Sequence, residues 1–143
     1  MITRIPTEVA PARRADLAKQ VAIIWGGIND DANGLGAGWA EISARLQQCR
    51  ADCLTAGYSA AMVCTEIDAL GSGSRWHTDY LLLNADLRAH IPTIDLIDLG
   101  ARPELQDATN TTYYSGDKVH LIAAGYAVVR DTAAPKIAAR LVL

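Results

Sequence analysis

The sequence predicts an α/β fold, three-layered around a parallel sheet, and three observations carry that prediction. Val21–Trp25 is an unbroken apolar run closed by Gly26-Gly27, Ser59–Thr65 is a second such run, and a stretch of helical periodicity separates them. Continuous apolar strands belong to sheets covered on both faces, and a helix between two strands supplies enough chain for a parallel crossover.

The elements follow in order. Trp39, Ile42, Leu46, Cys49 and Cys53 recur at steps of three and four, one stripe of a helix from about Gly38 to Ala56 that stops at Gly57. Beyond the Ser59–Thr65 strand, a loop rich in Gly and Ser (Gly71–Ser74) opens a second helix. Thr78 or Asp79 is its expected cap, Tyr80, Leu83, Leu87 and Ile91 form its inner face, and Pro92 ends it. Thr93–Leu99 reads as a third strand, closed by Gly100. The polar stretch from Arg102 to Asp117 is a long loop, a kind that in compact domains is usually functional. The last element spans about Leu121 to Leu143, where Gly125 and Pro135 predict a kink or two short helices.

Composition narrows the function classes. A chain of 143 residues, half of them apolar, fits one domain with a real core, so residues 1–143 are read as a single unit. A net charge of −3 gives no electrostatic reason to bind nucleic acid or an anionic membrane. No apolar run approaches a membrane span, and the first residues lack a signal-peptide pattern, so the chain as written reads as cytoplasmic. Cys49, Cys53 and Cys64 are odd in number and lack a redox or zinc spacing, which favours buried thiols over a disulfide framework.

Two short segments carry the chemistry. Asn29 follows Gly26-Gly27-Ile28 at the carboxyl end of an expected parallel strand, the edge where open α/β sheets bind ligands. Its amide is suited to donate to an oxyanion, although Gly-Gly and Asn-Asp are also ordinary turn residues. Asp117 stands three residues before His120, a carboxylate able to fix the tautomer of a general base; the plainer alternative is a cap for the following helix. His77 and Asp79 beside Glu66 and Asp68 lack metal-ligand spacing and read as loop polarity, so no metal and no cofactor is expected.

Gly27-Ile28-Asn29-Asp30 resembles the third block (G-x-N-D) of the SGNH, or GDSL-type, hydrolase superfamily, and Asp117-Lys-Val-His120 resembles its fifth (D-x-x-H). Their order, their separation and the Gly125-Tyr126 that follows are similar too, and the likeness runs from about residue 5 onward. The resemblance implies an esterase on a flavodoxin-like sheet, with His120 as base, Asp117 as its orienting carboxylate, Asn29 as oxyanion donor and Gly27 shaping the turn beside it. It also implies two further blocks, a G-D-S nucleophile segment and an oxyanion glycine, which this sequence does not contain. Met1 then falls where an internal methionine would sit, and the chain holds about three of the family's strands, ordered 2-1-3-4-5. On that reading the Val21–Trp25 strand lacks a neighbour, and a homo-oligomer or a complementing N-terminal segment is expected along its edge.

The function expected is hydrolysis of a small ester, short-chain acyl or acetyl, with acetylated sugars second. Full activity would need a serine from elsewhere; water activated by His120, or a local hydroxyl such as Ser115 or Ser72, is the weaker route. The alternative is an inactive pseudo-hydrolase that binds a ligand or serves in assembly. The stretches Asp31–Gly38, Ile67–Trp76 and Arg102–Ser115 are expected to shape the pocket, with Trp76 or Tyr113 as possible lining.

Overall fold

The computed structural model describes residues 14, 16–32, 38–70 and 75–142. Three strands, β1 (Val21–Ile24), β2 (Ala60–Cys64) and β3 (Leu96–Ile97), form a parallel sheet in the order β1-β2-β3. The register pairs Val21 with Ala60 and Ile24 with Val63 on one side of β2, and Val63 with Leu96 and Cys64 with Ile97 on the other. Among the described residues four helices accompany them: α1 (Ile28–Ala32), α2 (Trp39–Thr55), α3 (Trp76–His90) and α4 (Ala123–Val142). The α/β class with a parallel sheet is therefore as the sequence predicts.

β2 is buried at every residue, and its side chains divide between two clusters as the pleat requires. Ala61 and Val63 pack with Ile42, Leu46, Cys49 and Cys53 of α2 and with Tyr80, Leu83 and Leu87 of α3. Met62 and Cys64 face the other way, toward Ile97, Leu105 and Tyr114, where Val128, Val129 and Ile137 of α4 pack. The predicted stripes on α2 and α3 are the buried faces. Removing one such residue, as in Leu46→Ala, is the kind of change that costs about 2–5 kcal/mol. All three cysteines are free and buried.

Four expectations are corrected. β3 is two residues rather than the whole of Thr93–Leu99, because Thr93–Asp95 and Leu99–Ala101 wind into 3-10 turns that withdraw their backbone from the ladder. α3 begins at Trp76, so neither Thr78 nor Asp79 caps it; Asp79 lies in the first turn and accepts from Arg75 Nε at 3.1 Å. α4 is one continuous helix through Pro135, so of the two alternatives only the pair of short helices is overturned. Pro135 is exposed, so the carbonyl deprived of its N–H partner is on a solvated side where water takes it. The Arg102–Ser115 stretch is polar only in part: Leu105, Ala108 and Tyr114 are buried, and the Tyr114 hydroxyl donates to Leu105 O at 2.7 Å.

The amino-terminal side of β3 is closed by charge. Asp95, 3 % exposed, receives Arg50 of α2 at 2.6 Å and Arg140 of α4 at 2.7 Å, so one carboxylate ties both helices to the sheet. Among the described residues β1 pairs only with β2, and Ile23 is 51 % exposed on it. No helix among the described residues is long and apolar enough to cross a membrane.

Candidate active site

The sheet's carboxyl edge opens into a cavity of about 280 Å³. The turn after β1 contributes Trp25, Gly26, Ile28 and Asn29, and the segment after β2 contributes Glu66, Ile67 and Ala69. Trp76 of α3 closes one side, while Val119, His120, Leu121 and Tyr126 close the other. Asn29 and His120, distant in sequence, thus line one cavity.

Asn29 reaches it because of Gly27. β1 ends at Ile24 and the chain turns at Gly27 with φ of +146°, a conformation that L side chains rarely adopt. A Cβ there would also lie 2.7 Å from Ile42 Cγ2, so the turn packs directly onto α2. Gly27 O then accepts from Asp30 N at 2.9 Å, starting α1 with the exposed Asn29 in its first turn. The turn role expected of Gly27 has this physical basis.

Asp117 and His120 form a hydrogen-bonded pair, His120 Nδ1 to Asp117 Oδ2 at 2.6 Å. The other carboxylate oxygen, Oδ1, accepts from the Ser115 hydroxyl at 2.5 Å, Val119 N at 2.9 Å and His120 N at 3.0 Å. These donors, the His120 backbone N–H first, hold the carboxyl well below the usual carboxylate range although it is exposed. An ionised carboxylate only accepts, so in the neutral ring Nδ1 carries the proton and Nε2 keeps the lone pair. Such an imidazole is set up as a base.

The loop is fixed from both ends. Tyr114 and Leu121 form an antiparallel bridge, and Ser115 N donates to His120 O at 2.8 Å. Lys118 adopts φ of +59°, a left-handed conformation costing a non-glycine residue about 1–2 kcal/mol, and Leu70 N donates to Lys118 O at 3.0 Å to hold it there. α4 starts only at Ala123, so Asp117 closes a turn ahead of the helix, and His120 does not lie in the helix's first turn.

Ser115 spends its hydroxyl on Asp117 and is not among the cavity residues; Ser72 lies outside the described residues. Of the predicted loops, Ile67–Trp76 supplies part of the wall and Arg102–Ser115 none of it; positions 33–37 are not described. Trp76 lines the cavity whereas Tyr113 does not, and Trp76 Nε1 donates to Ile67 O at 3.1 Å.

Sequence reasoning gave Glu66 no role. It is 3 % exposed, and burial pushes its carboxyl up to about 7 against the pull of donors from Gly26 and Trp25. The signal that would have found it is position: it stands directly past the end of a fully buried parallel strand. Among the described residues no group of three or more His, Cys, Asp or Glu is gathered to hold a metal ion. Compared with protein-family models, curated proteins and solved structures, the chain matches none.

Proposed function

We propose that this chain is a carboxylic-ester hydrolase of the SGNH type, acting on short-chain acyl or acetyl esters. The observation that carries the reading is Asn29 and a tautomer-fixed His120 on one cavity. The three-layer, flavodoxin-like form of the fold belongs to the same proposal. It draws support from the parallel order β1-β2-β3, which suits the last three strands of a 2-1-3-4-5 sheet.

In this reading, His120 Nε2 removes the proton of the attacking hydroxyl as its oxygen bonds to the ester carbon. Asp117 stabilises the imidazolium that results, and the Asn29 amide donates to the carbonyl oxygen as it gains charge. The imidazolium then returns the proton to the departing alkoxide as the ester C–O bond breaks. The attacking oxygen is that of water, or of a serine brought by a segment such as the family places ahead of these blocks. The small-molecule ester is the partner, and the chemistry asks for no metal or cofactor.

A second reading, a ligand-binding module without turnover, is favoured by one observation. Among the described residues lining the cavity, the only hydroxyl is Tyr126's phenol. Hydrolysis of p-nitrophenyl acetate separates the two. The expected result is turnover above buffer that His120→Ala removes; a rate unaffected by that substitution overturns the hydrolase reading.

The exposed Ile23 and, among the described residues, the one-sided pairing of β1 support association along that edge, through a second copy or a complementing strand. Static light scattering of a stable monomer at micromolar concentration would refute it.

A further inference from the structure

Glu66 is the one acidic side chain among the described residues lining the cavity, and its surroundings fix both its root and its tip. At the root, Glu66 N–H donates to Asn84 Oδ1 at 2.6 Å, and Asn84 Nδ2 donates back to Glu66 O at 2.8 Å. Asn84 is 1 % exposed, so this side-chain amide serves the backbone of residue 66 as an adjoining strand would. At the tip, Glu66 Oε1 accepts from Gly26 N at 3.1 Å, and the Trp25 indole, which lines the same cavity, also favours the charged carboxyl. Both residues belong to the turn after β1, beyond the last paired residue Ile24, where the ladder no longer supplies an acceptor for Gly26 N. Asn29 follows three residues later.

We propose that Glu66 is a positioning residue: its carboxyl grips the Trp25–Gly26 turn and thereby sets where the Asn29 amide stands against His120. The role presumes the hydrolase reading only for its use, since the grip itself is a matter of hydrogen bonds. An ionised carboxylate holds the Gly26 N–H more strongly than a neutral acid does. Because burial raises this group to about 7, the turn is held tightly above that pH and loosens below it. The titratable groups facing it are few. Cys64, from the same segment, is pushed up to about 12 by burial and stays neutral; His120 and Tyr126 lie across the cavity; Asn84 and Trp76 of α3 carry no charge.

The test uses the full chain with 15N-labelled indole and amide groups, read by NMR from pH 5 to 9. Trp25→Phe and Asn29→Ala assign the two signals needed. The Trp25 Nε1–H signal and the Asn29 side-chain amide pair are expected to move together with a midpoint near 7. Both movements should vanish in Glu66→Gln and persist in His120→Asn. Glu66→Asp, which keeps the charge but shortens the reach, is expected to lose them too and serves if the glutamine variant does not fold. Signals that stay flat with pH, that still titrate in Glu66→Gln, or that stop titrating only in His120→Asn overturn the proposal. Titrating signals in a protein that hydrolyses no ester would sink the hydrolase reading and leave the grip of Glu66 standing.

Discussion

Among the described residues two Asp–His pairs are of nearly equal length, and they stand in different surroundings. His120 Nδ1 lies 2.6 Å from Asp117 and His77 Nδ1 lies 2.7 Å from Asp68. Asp117 is half exposed and collects three further donors on its second oxygen, while Asp68 is 1 % exposed and uses its second oxygen to accept from Ala108 N at 3.0 Å. His120 lines the cavity together with Asn29; His77 is not among its lining residues, its ring centroid 6.2 Å from that of Tyr80. A short Asp–His bond is thus not a site by itself. What separates the two is whether the free ring nitrogen meets a space in which something can bind.

Breaking each pair should separate these roles. His120→Ala is expected to bring ester hydrolysis down to the buffer rate, while His77→Ala leaves it within about twofold, the effect of an exposed side chain away from the chemistry. Equal losses from the two would erase the distinction. Asp68→Ala should do the reverse, costing about 2–3 kcal/mol in urea unfolding because it strands the Ala108 N–H without its acceptor.

The pH dependence sharpens the picture from Glu66. Its folded-state value, about 7, lies above the ordinary 4.5, so the folded protein keeps a proton that the unfolded chain releases. The associated stability is complete below about pH 4.5 and is lost as pH rises through 7, a change of about 3 kcal/mol. Glu66→Gln should flatten that fall in thermal midpoints measured from pH 5 to 8. Asp117 runs the opposite way: its lowered value gives stability that disappears as pH falls. A small effect is also expected of Ser115→Ala, which removes one of the donors to Asp117 and should slow hydrolysis by no more than about threefold. A loss of two orders of magnitude would instead make Ser115 the nucleophile.

Periodicity made the inner faces of α2 and α3 and the whole of β2 legible, because burial on one stripe or on both strand faces is written into residue order. Asn29 and the Asp117–His120 pair were legible for a different reason: each is a local pattern whose partners lie within a few residues. Glu66 was not, since its meaning comes from a bond to Gly26 across |i−j| of 40 and from Asn84 on another helix. Element ends misled for similar reasons. Nothing local in Thr93–Leu99 says that only Leu96 and Ile97 have backbone partners on β2, and nothing local says that Pro135 falls on the solvated side of α4.

Asp95 has a consequence for how the chain comes together during synthesis. Arg50 precedes Asp95 in the chain and Arg140 follows it, so during synthesis the carboxylate has only one of its two guanidinium partners until the end of α4 is made. The nascent protein therefore has its amino-terminal sheet edge underwritten only when the final turns of α4 emerge, which makes that helix the latch of a vectorial folding process.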